Sequence, residues 1–432
     1  MNSLWKTAGR EGRKIGEHFL VFLRWLGLSL FLGAVMGLVA TGFYYVLDYV
    51  TGVRVEHSSI IWFLPLGGLL IVLIYKLFDR KTKKAGELTP SEKGTNMALA
   101  AVNSDEDIPA RTTPLIFVTT AISHLFGASV GREGAALQMG ASMGATFAKL
   151  FRFNENDKKI MIMTGMSAAF AGIFGAPLTA AIFSMEVISV GVMYYAALVP
   201  CVIGALTSFY IARLLGVQYA AYSLGVIPDF TAANAGRCAV LGFLCALLSI
   251  VVCLTLIGTE NFFHRIFKNE FIRIFASGTI LSLLTLAVGT QEYNGLGTGA
   301  ILAAVAGHTV WYAFLLKLLF TAISLAGGYK GGEIVPSLFI GATFGCLCSS
   351  FLGIPPEICA ALAMVAVFCG VTNSPLASFI MGMELFGGKG LWMFAIVVAI
   401  SYMLSDYYGL YESQLIIYSK YRSAYIRRRT TH

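Results

Sequence analysis

The sequence predicts an all-α membrane protein that crosses the bilayer several times. Of its 432 residues, 57% are hydrophobic and 12% charged, and the mean hydropathy is +0.75, whereas a soluble domain carries about 25% charged residues. Apolar runs at 19–47 and 60–78 are each long enough to cross about 30 Å of hydrocarbon as a helix. The alternating pattern with short turns that a membrane barrel needs is missing from the sequence.

The charge distribution predicts the orientation. The net charge of +8 is concentrated before the first apolar run and in the segments 79–93, 154–159 and 420–429. By the positive-inside rule both termini face the cytoplasm, and the first apolar run continues as a spanning helix rather than ending at a cleavage site. We expect a multi-pass protein of the bacterial inner (plasma) membrane. The basic clusters are typical of contact with the lipid surface, so no nucleic-acid partner is predicted.

The cysteine and histidine pattern predicts neither a metal site nor a cofactor. Eight cysteines are scattered without a CxxC pair or a His at metal-ligand spacing, and are interpreted as small packing residues. His124 is interpreted as a hydrogen-bonded helix residue. A Ser-His-Asp arrangement is missing too, so we expect no enzyme; an intramembrane enzyme with Glu133 as its base is the rival of another class.

An internal repeat divides the chain into two related halves. "GAPLTAAIFSMEVI" (175–188) and "NSPLASFIMGMELF" (373–386) share Pro-Leu followed by an apolar helix that contains Met-Glu at the same spacing. Upstream of them, "GREGAALQMGASMG" (131–144) corresponds to "KGGEIVPSLFIGATFG" (330–345). Duplicated halves with broken apolar segments in matching places indicate a transport site near the membrane midplane. The alternative is that these glycines only permit close helix packing.

The breaks at 131–134 and 330–333 are predicted to form an anion site. Irregular backbone at membrane depth is tolerated only where it is buried in protein or lines a polar cavity. A helix that begins at such a break presents unpaired N–H groups at the positive end of its dipole. Gly131 and Gly134 would let the backbone approach the ion and adopt unusual dihedral angles.

Glu133 is the strongest functional candidate because it is an ionisable residue inside a membrane helix break. When ionised, its carboxylate would compete with the anion for the same donors. When protonated, it would swing away and carry a proton. The alternative is that Arg132 and Glu133 form a structural ion pair.

Four motifs, in this order and across nearly the whole chain, resemble the CLC family of chloride channels and transporters. They are "GREGAALQ", "GIFGAPLTAAIFSME", "GGEIVPSLFIGATFG" and "LYESQL" (410–415). The resemblance implies an inverted repeat of about eighteen helical segments with broken half-helices, assembled as a homodimer. We expect one transmembrane transport domain over 1–432, with halves at 18–225 and 235–420, and no C-terminal regulatory domain.

The resemblance also implies roles for single residues. Glu133 matches the family's gating glutamate, and Tyr411 the tyrosine whose hydroxyl contacts the central anion. Glu333 and Ile334 match the backbone donors of the second half. With Gly131, Arg132 and Gly134, and with Thr95 where most relatives have a serine, they make up the predicted anion site.

Departures from the family pattern point to the substrate. Val187 stands where chloride/proton exchangers have an inner glutamate. The stretches "GTNM", "HLFGASVGREG" and "GGYKGGEIVP" resemble the fluoride/proton antiporters, which also lack that glutamate. That subgroup usually has Asn or Met at the position of Thr95 and commonly Thr at that of Val335. Fluoride export in exchange for protons is the favoured function, and a chloride/proton exchanger or a passive chloride channel is the alternative.

Four other charged residues have open or structural interpretations. Glu333 would relay protons and, together with Val335, form a second proton or selectivity site. The alternative is that Glu333 forms an ion pair with Lys330. Glu186 and Glu384, matched across the repeat, are predicted to cap or brace helix ends. Lys317 lies alone in an apolar run and would snorkel or pair inside the protein.

Overall fold

A computed structural model describes residues 2–79, 94–104, 106–220 and 222–431, with side chains from Lys14 onward. Sixteen α-helices follow in order within these residues. The first eight are α1 (Asn2–Glu56), α2 (Leu64–Asp79), α3 (Asn96–Asn103), α4 (Thr112–Phe126), α5 (Glu133–Leu150), α6 (Glu155–Phe174), α7 (Pro177–Glu186) and α8 (Leu198–Leu214). The last eight are α9 (Ala232–Ile266), α10 (Glu270–Val288), α11 (Thr298–Val305), α12 (Ala313–Gly327), α13 (Ile334–Leu352), α14 (Pro356–Thr372), α15 (Pro375–Phe386) and α16 (Leu391–Leu404).

The predicted all-α polytopic class is confirmed, with three short strands added. These are β1 (Ser189–Val190), β2 (Leu415–Tyr418) and β3 (Tyr425–Arg429). β1 pairs in parallel with β2, which pairs antiparallel with β3. The strands supply backbone hydrogen bonds where the polar C-terminal segment runs back over the end of α7, and a helical hydropathy pattern could not indicate them.

The helices pack as two sets of eight with the same contacts in each set. α5 packs on α6 as α13 packs on α14, and α1 packs on α8 as α9 packs on α16. Across the halves each of α2, α5 and α7 contacts its own counterpart, α10, α13 and α15. This arrangement agrees with the repeat in the sequence. The boundaries at 18–225 and 235–420 stay a prediction, although α8 ends and α9 begins on either side of that junction.

Only some of the helices are long enough to cross a membrane. Within the described residues, six apolar helical segments reach at least 18 residues. They are Lys14–Glu56, Ser58–Phe78, Tyr195–Leu214, Ala232–Ile266, Glu270–Val288 and Ile334–Leu352. Five other apolar helices have 10–17 residues, so the expected short, broken segments are present. The basic segment 79–93, apart from Asp79, lies outside the described residues.

Glycines end the helices that lead to the two breaks. α4 stops at Gly127 and α12 at Gly328, which have φ values of 91° and 102°. Such left-handed backbone is strained for residues with a side chain and ordinary for glycine. These two stops turn the chain into the loops that precede α5 and α13.

Other glycines serve helix packing, as the alternative interpretation proposed. A methyl group on Gly140 of α5 would lie 2.2 Å from the Gly165 carbonyl oxygen of α6. One on Gly345 of α13 would lie 2.3 Å from the Cys359 carbonyl oxygen of α14. The two helix pairs therefore touch backbone to backbone, which fixes the directions of α5 and α13 and hence the positions of their N termini.

Candidate anion site

The two sequence breaks meet in the structure. The Gly131 amide donates to the Gly332 carbonyl at 2.5 Å, and the Gly332 amide donates to the Gly131 carbonyl at 2.8 Å. This isolated antiparallel bridge joins the loop before α5 to the loop before α13. The N termini of both helices are thereby held together, and their dipoles add to a positive potential in one place.

The glycines at the first break allow the two loops to approach each other closely. Gly131 and Gly134 are not among the residues with positive φ, so the expectation of unusual dihedral angles there is wrong. A methyl group on Gly131 would instead lie 2.8 Å from the Gly332 carbonyl oxygen, and one on Gly134 would lie 2.8 Å from the Gly332 Cα. Contact between the halves, rather than backbone strain, explains why these positions are glycine.

Glu133 is the first residue of α5 and is 1% exposed. Its carboxylate folds back onto the helix end, where Oε2 accepts a hydrogen bond from the Arg132 amide at 3.1 Å. Oε1 lies 3.5 Å from Arg132 Nε. The Arg132 contact expected by the structural interpretation is thus present. The carboxylate also takes up a backbone donor that a bound anion would use.

Arg132 is held beside this carboxylate by other contacts. Its Nη2 donates to the Ile173 carbonyl at 3.4 Å, and its guanidinium carbon lies 5.2 Å from the centre of the Tyr44 ring. Arg132 Nε makes no hydrogen bond within the described residues. The side chain is therefore a fixed positive charge next to Glu133.

Thr95 faces the first break from the start of α3. It is 5% exposed, and a methyl group on Gly134 would lie 3.1 Å from its Oγ1. That oxygen accepts a hydrogen bond from Gln138 Nε2 at 3.4 Å. Because the Gln138 amide supplies the donor, the Thr95 hydroxyl proton is free to point at an anion.

Tyr411 is fully buried, and its hydroxyl has no hydrogen-bond partner within the described residues. A buried hydroxyl without a partner costs stability, so the Tyr411 hydroxyl is a candidate donor to a ligand. Glu333 is close enough to act on it electrostatically. Tyr411 therefore lies near Glu333, the residue before α13. Contact between its hydroxyl and an anion stays a prediction.

Backbone contacts fix Tyr411 in place. The Ser413 amide donates to Asn96 Oδ1 of α3 at 2.9 Å, and Asn103 Nδ2 at the other end of α3 donates to the Ser413 carbonyl at 3.0 Å. Thr430 Oγ1 donates to the Tyr411 carbonyl at 2.6 Å. Tyr411 is therefore tied to the helix that Thr95 begins.

Glu333 precedes α13 as Glu133 begins α5. A methyl group on Gly134 would lie 3.6 Å from Glu333 Oε2, so this carboxylate faces the first break. Lys330 turns elsewhere, with its Nζ 4.8 Å from the centre of the Tyr75 ring. Within the described residues Glu333 and Lys330 form no ion pair, so that interpretation of Glu333 is wrong.

Ile334 and Val335 open α13 next to Glu333, and both are buried. Their amides belong to the first turn, which has no earlier carbonyl within the helix to bond. Pro336 follows without an N–H group, and the Ser337 amide already bonds the Glu333 carbonyl at 3.0 Å. The free amide donors at this helix end are therefore the adjacent ones of Ile334 and Val335.

Glu186 and Glu384 cap each other's helices, which confirms the structural interpretation. Glu186, the last residue of α7, accepts from the Leu376 and Ala377 amides of α15 at 3.0 and 2.8 Å. Glu384 of α15 accepts from the Leu178 and Thr179 amides of α7 at 2.8 and 2.7 Å. Each carboxylate satisfies first-turn donors and the positive end of the partner helix.

Two residues near the predicted site have structural partners. Val187 is buried, and its carbonyl accepts from Gln414 Nε2 at 3.0 Å. Lys317 pairs inside the protein, as one interpretation expected, and donates to the carbonyls of Gly295 at 2.6 Å and Tyr293 at 3.2 Å.

Sequence reasoning missed Gln138. Its side chain is 3% exposed, its Nε2 binds Thr95, and its Oε1 has no hydrogen-bond partner within the described residues. The available signal was a polar residue among the apolar ones of "GAALQMG", about one and a half turns after Glu133 on a buried helix.

The candidate site offers an anion helix dipoles and a hydroxyl group more than full charges. The starts of α5 and α13 meet here, and Thr95 at the start of α3 faces Gly134. Glu133 and Glu333 lie at the same two helix ends, and the Tyr411 hydroxyl has no partner within the described residues. The fold defines a polytopic membrane protein with duplicated halves, whose two breaks meet in a candidate anion site.

Comparison with known proteins gives the family. The family model described as voltage gated chloride channel matches residues 67–406, and the chain belongs to this family, the CLC family. A chloride/fluoride channel protein of Pseudomonas syringae pv. tomato is 33% identical over 405 residues, which cover 92% of this chain and 88% of that protein. An H(+)/Cl(-) exchange transporter ClcA of Yersinia pestis is 23% identical and covers 87% of this chain, with 84% of its own length matched.

Solved structures share the fold. A CLC-type fluoride/proton antiporter superposes with a TM-score of 0.86 at 31% identity, over 91% of this chain and 98% of that one. A slow cyanobacterial Cl-/H+ antiporter superposes with a TM-score of 0.74 at 19% identity, over 88% of this chain and 94% of that one. The second likeness concerns the fold alone.

Proposed function

We propose that this protein exchanges a halide for protons across the bacterial inner membrane and that fluoride export is its physiological direction. The observation that carries the proposal is the buried Glu133 carboxylate, which accepts a hydrogen bond from the Arg132 amide at the start of α5, where the two breaks meet. The similarity to the fluoride/proton antiporter and to the chloride/fluoride channel protein supports fluoride as the anion.

Glu133 serves as gate and proton carrier in this proposal. In its ionised form it occupies the donors that the anion needs. Protonation removes its charge, so an anion replaces it at the helix end while the neutral carboxyl group swings away with the proton. One residue thereby couples the two movements, because anion and carboxylate compete for the same amides.

The anion in the centre is held by Thr95, Tyr411 and the amides of Arg132, Gly134, Glu333 and Ile334. Gly131, which was also predicted to bind the anion, positions this group instead, because its amide donates to the Gly332 carbonyl. Fluoride is small and strongly hydrated, so its release from water requires strong donors at short distance. Backbone amides at two helix ends and two hydroxyl protons supply these donors, and the Arg132 guanidinium adds a positive charge beside Glu133. Val335 keeps the start of α13 apolar beside them.

Glu333 is proposed as the second proton site. It lies on the side of Gly134 that faces the other half, and Val187 cannot carry a proton. A proton that leaves Glu133 thus has a second carboxylate within the same group of residues. Its close equivalence to Glu133 in the repeat supports this role.

The assembly proposed is a homodimer with both termini in the cytoplasm. The reciprocal helices α7 and α15 leave Leu178 and Leu376 exposed, with 46% and 52% of their surfaces accessible. These two leucines occupy matching places in the repeat and offer a two-fold apolar surface to a second copy. The family resemblance supports the same assembly.

Flux measurements on purified protein in liposomes test the proposed function. A fluoride gradient should drive protons in the opposite direction and change the internal pH, with a smaller response to chloride. A pH change driven by chloride in preference to fluoride would identify a chloride/proton exchanger. Anion flux that leaves the pH unchanged would show a channel and refute antiport.

A further inference from the structure

One buried asparagine holds both ends of the loop that contains Tyr411. Asn373, the residue after α14, is fully buried. Its Nδ2 donates to the Tyr408 carbonyl at 2.9 Å and to Gln414 Oε1 at 3.0 Å, and these acceptors lie on either side of Tyr411 in the chain. A methyl group on Gly409 would lie 2.8 Å from the same Nδ2, so the loop backbone runs directly over the asparagine.

Gln414 connects this loop to both halves of the repeat. It is fully buried as well, and its Nε2 donates to the Val187 carbonyl after α7 at 3.0 Å and to the Thr372 carbonyl at the end of α14 at 2.8 Å. Its own backbone amide donates to the Tyr411 carbonyl at 3.0 Å. The position of Tyr411 therefore depends on the orientation of two buried side-chain amides.

Lys420, in the turn between β2 and β3, determines which way the Asn373 amide group points. Its Nζ donates to Asn373 Oδ1 at 2.5 Å, to Ser405 Oγ at 3.2 Å and to the Asp406 carbonyl. An ammonium group has only donors, so the Asn373 oxygen faces it and the NH2 group faces the loop. Without the ammonium group the amide could turn over, and its oxygen would then face the Tyr408 carbonyl, which is an acceptor too.

The ammonium group of Lys420 is stabilised at the ends of two helices. Asn373, in left-handed conformation with a φ of 56°, ends α14, and Ser405 ends α16. The carbonyl end of a helix carries the negative pole of its dipole and favours a cation. The Tyr402 ring, whose centre lies 4.6 Å from Nζ, adds a cation–π contact. The half-buried lysine is thus held where it binds Asn373.

We propose that Lys420, Asn373 and Gln414 are positioning residues for Tyr411 and thereby set the affinity of the central site for fluoride. The C-terminal hairpin of β2 and β3 acts on anion binding in this way without touching the anion. The inference rests on the proposed function for the identity of the anion and for its contact with the Tyr411 hydroxyl. A purely structural role of Lys420 would change stability but would not act through that hydroxyl.

Hydrogen exchange of the purified full-length protein tests the positioning without any anion. The Leu410 amide donates to the Val371 carbonyl at 2.9 Å, and the Gln414 amide donates to the Tyr411 carbonyl, so both amides report on the loop. In Lys420→Met we expect them to exchange about fivefold faster, as the loss of one charged hydrogen bond predicts. Unchanged exchange of both amides would overturn the proposal.

The affinity for fluoride, measured by titration calorimetry, tests whether Lys420 acts through Tyr411. Lys420→Met should weaken fluoride binding about fivefold. In the Tyr411→Phe background the same substitution should cause no further loss, because the hydroxyl that Lys420 positions is gone. An equal loss in both backgrounds, or no loss with Tyr411 present, would overturn the proposal.

Two further variants keep both measurements decisive. Lys420→Arg keeps a positive charge with a different geometry, so it should fall between the wild type and Lys420→Met; it also serves if Lys420→Met fails to fold. Lys389→Met removes an exposed charge and should change neither exchange nor affinity. A wild type that neither binds nor moves fluoride would refute the proposed function, while hydrogen exchange would still decide the positioning role.

Discussion

The amides of Gly131 and Gly332 each donate a hydrogen bond to the carbonyl of the other residue, at 2.5 and 2.8 Å. Gly131 belongs to the first half of the repeat and Gly332 to the second. This pair of bonds is the point where the two half-sites become one site, since it sets the distance between the starts of α5 and α13. Antiparallel pairing at this place requires both residues to lack side chains.

Gly332→Ala tests this contact. A methyl group there would lie 2.5 Å from the Gly134 amide nitrogen, so the two halves must separate; we expect a loss of about 1–3 kcal/mol in stability and strongly reduced anion flux. Thermal unfolding in detergent and flux in liposomes measure the two effects. Gly236→Ala is the matched control, because nothing lies within 4 Å of a methyl group at that position. Unaltered melting and flux for Gly332→Ala would show that the bridge is dispensable.

The replacement of Glu384 by Gln separates structure from proton transport. The NH2 group of the glutamine would face one of the Leu178 and Thr179 amides, which are donors themselves. The lost hydrogen bond should lower the free energy of unfolding by about 1–2 kcal/mol and lower the melting temperature. Glu186→Gln should have a similar effect on α15. Both variants should keep the wild-type ratio of protons to fluoride. A Glu186→Gln variant with altered coupling and unchanged melting would instead identify Glu186 as a proton carrier.

The match between Glu186 and Glu384 shows how much of the structure the sequence predicts. Equal spacing from Pro177 and Pro375 predicts two equivalent helices, and symmetry favours a shared structural role, which the reciprocal caps confirm. The spacing could not show that each carboxylate caps the other helix, because the contact crosses between the halves. The glycines of the first break are explained only by the approach of Gly332.

Tyr411→Phe tests the free hydroxyl at the centre of the site. Its removal should weaken anion binding by about 1–2 kcal/mol, or roughly tenfold, because one direct donor is lost. Titration calorimetry on the purified protein measures the affinity. Tyr418→Phe is the control, since that side chain is 48% exposed on β2. Equal affinities for wild type and Tyr411→Phe would place the anion elsewhere.

Thr95→Asn addresses the choice between fluoride and chloride. An amide group in place of the hydroxyl offers N–H donors beside Gly134, and we expect a shift of roughly fivefold toward fluoride, as one added hydrogen bond would give. Relative fluxes of the two ions from the same liposomes measure it. Thr290→Asn, at an exposed loop position, controls for the substitution itself. An unaltered preference would mean that Thr95 does not line the anion position.

The central claim is that Glu133 carries the proton and also gates the anion, and Glu133→Gln tests it most directly. The amide is neutral and cannot release a proton, so the variant should move fluoride without any coupled change of internal pH. Glu260→Gln, at an exposed position on α9, should keep full coupling. Simultaneous recordings of fluoride and proton flux in liposomes decide the matter: fluoride movement without protons in Glu133→Gln is the predicted result, and proton transport driven by fluoride in that variant would contradict the account.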